Sequence, residues 1–199
     1  AAAISLSGAV SLNIETAGEK HFRTLGATKD YGRDIVEPLK RISRLVGKGT
    51  RHPKVKQTTQ FVVGAAEETD RELVRYSWGL YDRLGLSRVY FSAYQRGTGD
   101  PGLPGERSPR SNGDLLTREH RLYQVDWLLR KYGFREEEIP FEGDGNLSLT
   151  RDPKEVYATR HPEIFPVDIN RAARQELLRV PGLGPETVPT AVKRVEVGA

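Results

Sequence analysis

The stretches Thr59-Gln-Phe-Val-Val-Gly64 and Arg88-Val-Tyr-Phe-Ser-Ala-Tyr-Gln95 decide the fold because of what lies between them. Both are rich in β-branched and aromatic residues, which suit a pleated, half-buried surface. Thr69 opens the interval with a capping box: Glu72 stands three residues on, so hydroxyl and carboxylate can satisfy two free helix donors reciprocally. Leu73, Val74, Trp78, Tyr81 and Leu84 then recur at helical spacing, and Gly85 offers a stop. Strand, helix and strand at this spacing predict a right-handed crossover between parallel strands.

Toward the N-terminus, Val10-Ser-Leu-Asn-Ile-Glu15 alternates and reads as a further strand. Ile35, Val36, Leu39, Ile42, Leu45 and Val46 predict a helix, with Pro38 in or just before its first turn and Gly47 and Gly49 at its end. Two successive crossovers place a parallel α/β sheet within residues 8–95. In such folds ligands sit beyond the C-terminal ends of the strands. Those ends are Asn13-Ile-Glu15, Gly64-Ala-Ala-Glu67 and Ala93-Tyr-Gln95.

Toward the C-terminus, residues 97–117 form a Gly/Pro-rich loop that is either mobile or covers something. Thr117 reads as the cap of a helix from Arg118 to Tyr132, with Leu122, Val125, Leu128 and Leu129 on its apolar side and Gly133 at its end. The rest of 118–165 is irregular. The final unit, 166–199, contains Leu177-Leu-Arg-Val-Pro-Gly-Leu-Gly-Pro-Glu-Thr-Val188. A helix capped by Asn170 and running to Arg179 meets a tight turn, and a second helix can start at Pro185. This resembles a helix-hairpin-helix motif, in which backbone N–H groups hold a DNA phosphate. Its candidate contacts are Val180, Gly182, Leu183, Gly184 and Thr187. Pro-Gly-X-Gly turns also join helices that never touch nucleic acid. Residues 166–199 hold five Lys/Arg against four Asp/Glu, and Pro189 removes a hydrogen bond early in the second helix.

The chain of 199 residues carries a net charge of +4 and has neither cysteine nor methionine. Disulfides, thiol nucleophiles, zinc-thiolate sites and cysteine-ligated iron–sulfur clusters are excluded within it. No run approaches the length of a transmembrane span, and the opening segment lacks a basic signal-peptide region, so a cytoplasmic protein is expected. The missing methionine and the first residue, Ala1, lead us to expect a fragment or a processed chain. Residues 40–56 hold Lys40, Arg41, Arg44, Lys48, Arg51, Lys54 and Lys56 with no acidic residue. Such a run is either a solvated face or a phosphate-contacting surface, with Lys48, Arg51 and Lys54 the candidate contacts. No aromatic residue is interleaved, so base stacking is not indicated. Glu119 and His120 are helical neighbours that point apart, which suits surface charge better than an acid/base couple. His21, His52 and His161 lack ligand spacing, and no metal site is expected.

In order along the chain, Val10-Ser-Leu-Asn-Ile-Glu15, Gln57-Thr-Thr-Gln-Phe-Val-Val-Gly64, Arg88-Val-Tyr-Phe-Ser92, Arg118-Glu-His-Arg-Leu-Tyr-Gln124 with Trp127, Asp152-Pro-Lys154, Phe165-Pro-Val-Asp-Ile-Asn170 and Arg179-Val-Pro-Gly-Leu-Gly184 resemble a bacterial family described as radical S-adenosylmethionine proteins of DNA modification or repair. The resemblance implies that residues 1–96 are part of a (βα)6 barrel, followed by the hairpin tail. It implies S-adenosylmethionine at the strand ends, with Ser11, Asn13 and Glu15 facing its ribose or amino-acid part. Val62-Val-Gly64-Ala-Ala-Glu67 resembles the family's Ile-x-Gly-x-x-Glu phrase beside the adenine, although Gln60 replaces the glycine that opens it. The candidate cofactor residues are therefore Ser11, Asn13, Glu15, Gln60, Gly64 and Glu67. The family also needs a [4Fe–4S] cluster on three cysteines, and this chain has none. Its implied partners are DNA or RNA, and the other half of the barrel or a second subunit along the open sheet edge. The competing class is a non-enzymatic nucleic-acid-binding module, or a hairpin used only for packing or for protein–protein contact.

Overall fold

The computed structural model describes residues 2–26, 28–97 and 99–188. A short helix α1 (Ala2–Ser5) leads into β1 (Ala9–Ser11). Helix α2 (Glu19–Thr24) follows, then a π-helical stretch (Tyr31–Val36) that continues as α3 (Glu37–Ser43). Strand β2 (Lys56–Val63), α4 (Asp70–Leu84) and β3 (Arg88–Ala93) complete the crossover unit. Beyond it lie α5 (Pro104–Arg107), α6 (Asn112–Lys131), a 3₁₀ turn (Glu136–Glu138), α7 (Pro153–Arg160) and α8 (Arg174–Leu177).

The strands form one parallel sheet in the order β1-β2-β3, with Thr58 opposite both Ser11 and Arg88. The architecture is α/β, as the spacing predicts. Helix α4 carries the expected capping box at Thr69 and Glu72 and ends on Gly85 in the left-handed region, φ 64°. Burial alternates along β2: Gln57, Thr59, Phe61 and Val63 are buried, while Lys56, Thr58, Gln60 and Val62 are not. In β3, Val89 and Phe91 are buried and Tyr90 is 44 % exposed. The buried face packs against Leu73, Val74 and Leu80 of α4 and Leu122, Val125 and Leu129 of α6. The opposite face, with Thr58, Gln60, Val62 and Tyr90, is mostly polar and left partly exposed, which is unusual because parallel sheets are normally covered on both sides.

Helix α6 runs antiparallel to β3 and, together with Tyr81 of α4, closes its outer edge with side chains. Val89 N–H donates to the Tyr81 hydroxyl at 2.9 Å, Phe91 N–H to the Tyr123 hydroxyl at 3.0 Å, and Ala93 N–H to the Glu119 carboxylate at 2.6 Å. The Tyr123 hydroxyl in turn donates to the Phe91 carbonyl at 2.9 Å. Glu119 is therefore not surface charge. It is part of a substitute for the neighbouring strand that this edge lacks.

Several boundaries differ from the sequence reading. β1 stops at Ser11 because Leu12 and Ile14 turn to the Thr59 side chain, whose hydroxyl donates to the Leu12 carbonyl and accepts the Ile14 N–H. Pairing resumes only at Glu15, which bridges Phe61. The second helix begins as a π-helix at Tyr31, capped by Asp30, and ends at Ser43, so Gly47 and Gly49 shape the following loop and not the helix end. Helix α6 starts at Asn112, its cap six residues before the expected Thr117 cap, because Ser111 and Asp114 form an earlier capping box. The first hairpin helix is the single turn Arg174–Leu177 preceded by Ala173, so Asn170 is not its cap. Residues 99–111 cover the sheet's C-terminal edge: Gly105 N–H donates to the Ala65 carbonyl at 3.1 Å. Most of the second hairpin helix, with Pro189, lies outside the described residues. Among the described residues no helix is long and apolar enough to cross a membrane.

Thr59 is fully buried, and its hydroxyl does the work of a missing stretch of β-ladder. Thr59→Val keeps the shape and removes the hydroxyl, leaving a buried donor and a buried acceptor without it. The expected loss is about 1–3 kcal/mol of stability in urea unfolding, and Thr59→Ser should restore most of it.

Candidate functional site

The sheet's C-terminal edge carries two separate clefts. The first, of about 550 Å³, is lined by Ser11, Asn13 and Glu15, with Phe22, Leu25 and Ile35 as its apolar wall and Thr28 and Lys29 at its rim. Its geometry comes from the broken strand. Glu15 is the one described non-glycine residue with positive φ, at 68°. That conformation costs a non-glycine residue about 1–2 kcal/mol. It is held there because Glu15 N–H donates to the Gln60 carbonyl at 3.0 Å and its carbonyl accepts Val62 N–H at 2.7 Å. Burial raises the Glu15 carboxyl above the usual carboxylate range, while Lys29 and a hydrogen bond from Asn13 pull it back. The result is a polar strand end facing a hydrophobic wall, with a carboxylate that can accept from hydroxyl or ammonium donors.

The second cleft, of about 240 Å³, includes Gly64, Glu67, Arg107, Arg110 and Arg118. The sequence-derived cofactor set is thus divided: Ser11, Asn13 and Glu15 share one cleft, and Gly64 and Glu67 line the other. Gln60 lines neither cleft; it lies on the solvent-facing side of β2. Gly64 adopts φ 82°, and a Cβ there would meet Leu115 Cδ2 at 2.5 Å. Its glycine identity is explained by packing under α6 as well as by the turn.

Beneath these strand ends lies a buried polar network that sequence reasoning missed. Glu68 accepts Gly64 N–H at 2.7 Å and a hydrogen bond from the fully buried Thr16 at 3.4 Å, which ties β1's end to β2's. Burial raises the Glu68 carboxyl, against the stabilising Gly64 N–H. Asp70, fully buried, pairs with Arg118 at 2.9 Å and also accepts Leu147 N–H at 2.9 Å. Asp70 N–H donates to Asn146. His21 meets Glu72 at 3.1 Å. Only the Thr69–Glu72 box among these partners is visible as a sequence pattern. The others are up to 77 residues apart.

The hairpin packs against the far end of α6. Leu183 is partly buried against Leu177, Leu178 and Val188, as a plug between helices should be. Gly182 has φ 79°, which favours glycine. Several hairpin N–H groups already have partners: Leu183 N–H donates to the Val180 carbonyl, Gly184 N–H to the Thr187 hydroxyl and Thr187 N–H to the Gly184 carbonyl. Lys154, 6 % exposed, donates to the Leu183 carbonyl and lies 4.7 Å from the Tyr132 ring centre. Two adjoining clefts here share Trp127, Tyr132, Asp152 and Lys154.

The six remaining cations of the basic run are exposed: Arg41, Arg44, Lys48, Arg51, Lys54 and Lys56. Lys40 differs, being paired with Glu37 at 2.9 Å. Among the described residues no group of three His, Cys, Asp or Glu side chains converges to hold a metal ion. No family model, curated protein or solved structure matches this chain, so the reading of these sites rests on their own geometry.

Burial lowers the Lys154 ammonium to about 8, and the nearby Asp152 charge only partly opposes this. The unfolded chain therefore binds the proton more tightly than the folded one between about pH 8 and the ordinary lysine value near 10.4. Stability should rise with pH across that window. In urea unfolding from pH 8 to about 10, wild type should gain stability relative to Lys154→Met. Parallel curves for the two proteins would show the lysine to be ordinarily solvated.

Proposed function

We propose that this chain is the cofactor-binding part of a β/α barrel enzyme of the radical S-adenosylmethionine kind, acting on nucleic acid. The observation that supports it most is the cleft at β1's end, where Ser11, Asn13 and Glu15 face the wall of Phe22, Leu25 and Ile35. The residues fit the molecule's chemistry. A half-buried carboxylate and an amide suit a ribose diol or an amino group, and an apolar wall suits a purine ring. S-adenosylmethionine would supply the group or radical to be transferred. This chain's residues would bind and orient it. They do not fit an iron–sulfur cluster on cysteine, because the chain has no cysteine; cluster ligands would come from residues outside it.

The sheet supports the barrel reading in a second way. β3's outer edge is closed by Tyr81, Tyr123 and Glu119, so a strand that extends the sheet joins at β1. The other barrel half, added there, would turn the polar face with Thr58, Gln60 and Tyr90 into an enclosed interior.

For the hairpin, the internal hydrogen bonds at Leu183, Gly184 and Thr187 favour packing over phosphate capture. A Cβ at Gly184 would meet the Tyr132 hydroxyl at 3.1 Å, so Gly184→Val should loosen this tail from α6. On the packing reading, the variant loses stability while duplex DNA affinity stays unchanged. A selective loss of DNA affinity would restore the hairpin as a phosphate site.

Isothermal titration with S-adenosylmethionine tests the main reading. The wild-type chain should bind it. Glu15→Gln, which keeps the shape and removes the charge, should weaken binding about tenfold or more. Absence of binding, or equal binding by the variant, would remove the cofactor assignment from this cleft.

A further inference from the structure

The loop between α3 and β2 is built, not loose. Gly47 N–H donates to the His52 carbonyl at 3.1 Å, and His52 N–H donates to the Leu45 carbonyl at 3.0 Å. The Thr50 hydroxyl donates to the carbonyls of Leu45 and Gly47 at 3.0 and 2.7 Å. Gly47 and Gly49, at φ 95° and 82°, make the two bends this closure requires. Val46 bridges His52 across the lobe and is buried. Lys48, Arg51 and Lys54 stand exposed on it, and Arg41 and Arg44 are exposed at the adjoining end of α3. Among the described residues no ion pair engages any of these five.

We propose that this lobe docks the phosphate backbone of duplex DNA. Cations without ion-pair partners, held on a closed loop, offer uncompensated positive charge to a phosphate backbone, and their association releases condensed counterions. The exposed set contains no aromatic side chain on which unpaired bases would stack, which favours the duplex over a single strand. The lobe precedes β2, so it lies at the N-terminal edge of the parallel sheet, opposite the cleft of Ser11, Asn13 and Glu15. A duplex segment held here lies away from the ligand cleft, so any nucleotide acted on would enter the cleft from a different stretch of the same nucleic acid. The inference does not depend on the identity of the ligand in that cleft.

The test is fluorescence anisotropy with a labelled duplex of arbitrary sequence and with one of its strands, between about 50 and 200 mM salt. Three proteins are compared: wild type, Lys48→Glu/Arg51→Glu/Lys54→Glu, and Arg75→Glu/Arg83→Glu/Lys131→Glu. The last makes the same charge change at exposed positions elsewhere. Wild type should prefer the duplex. The lobe variant should lose at least about tenfold in affinity, and its salt slope should fall by about 0.9 for each contact removed. The control variant should lose much less. No duplex binding by wild type, equal losses in the two variants, or a preference for the single strand would each overturn the proposal. Glu15→Gln should leave duplex affinity unchanged. A failed cofactor titration beside a positive DNA result would thus count against the cleft assignment alone.

Discussion

The outer edge of β3 is the constraint on which the rest of the structure depends. A parallel strand at a sheet edge exposes a row of backbone donors and acceptors, and leaving them buried without partners costs about 1–3 kcal/mol each. Here Tyr81, Tyr123 and Glu119 take the three outward N–H groups of Val89, Phe91 and Ala93. Two of these side chains come from α6 and one from α4. The register of both helices on the sheet is therefore set by the strand itself. Asp126 locks the arrangement by accepting from the Tyr81 hydroxyl and pairing with Arg130.

This closure makes the sheet asymmetric. Phe61, Val63, Val89 and Phe91 face the helices, whereas Thr58, Gln60 and Tyr90 face away from them. In the function we propose, the polar face and the clefts at the strand ends serve the binding of a small ligand, and the basic lobe at the other edge serves a second partner. Charge is mixed at the C-terminal edge, where Lys29, Arg107, Arg110 and Arg118 line the clefts. Half-buried or buried carboxylates, Glu15 and Glu68, sit at the C-terminal edge, and exposed cations without ion-pair partners sit at the N-terminal edge. The hairpin lies at the end of α6 remote from the strands' C-terminal ends, since Glu119 reaches Ala93 and Tyr132 meets Gly184.

The parallel sheet was legible in the sequence because its central strand and the capped helix α4 are specified locally, by β-branched and aromatic residues in Thr59-Gln-Phe-Val-Val-Gly64 and by Thr69, Glu72 and Gly85. The irregular end of β1 was not legible. It depends on one hydroxyl, Thr59, competing with the backbone ladder from 45 residues away. The early start of α6 followed a capping box, Ser111 and Asp114, hidden by the stronger-looking Thr117. Ser11, Asn13 and Glu15 were read as a set by strand alternation, and the structure brings them to one cleft by another route, the break after Ser11 and the positive φ of Glu15. The network of Glu68, Asp70, Arg118 and Asn146 was not, since its members meet only through tertiary folding. Glu119 was misread for the same reason: its partner is a backbone N–H on another element.

The two-ended division is tested most directly by nuclear magnetic resonance on one labelled sample, titrated first with S-adenosylmethionine and then with a DNA duplex too short to span both the lobe and the cleft. Amide shifts should move at residues 11–15 and 28–35 with the first ligand and at residues 44–54 with the second, without overlap. Shifts at the strand ends on adding DNA, or at the lobe on adding the small ligand, would contradict the division.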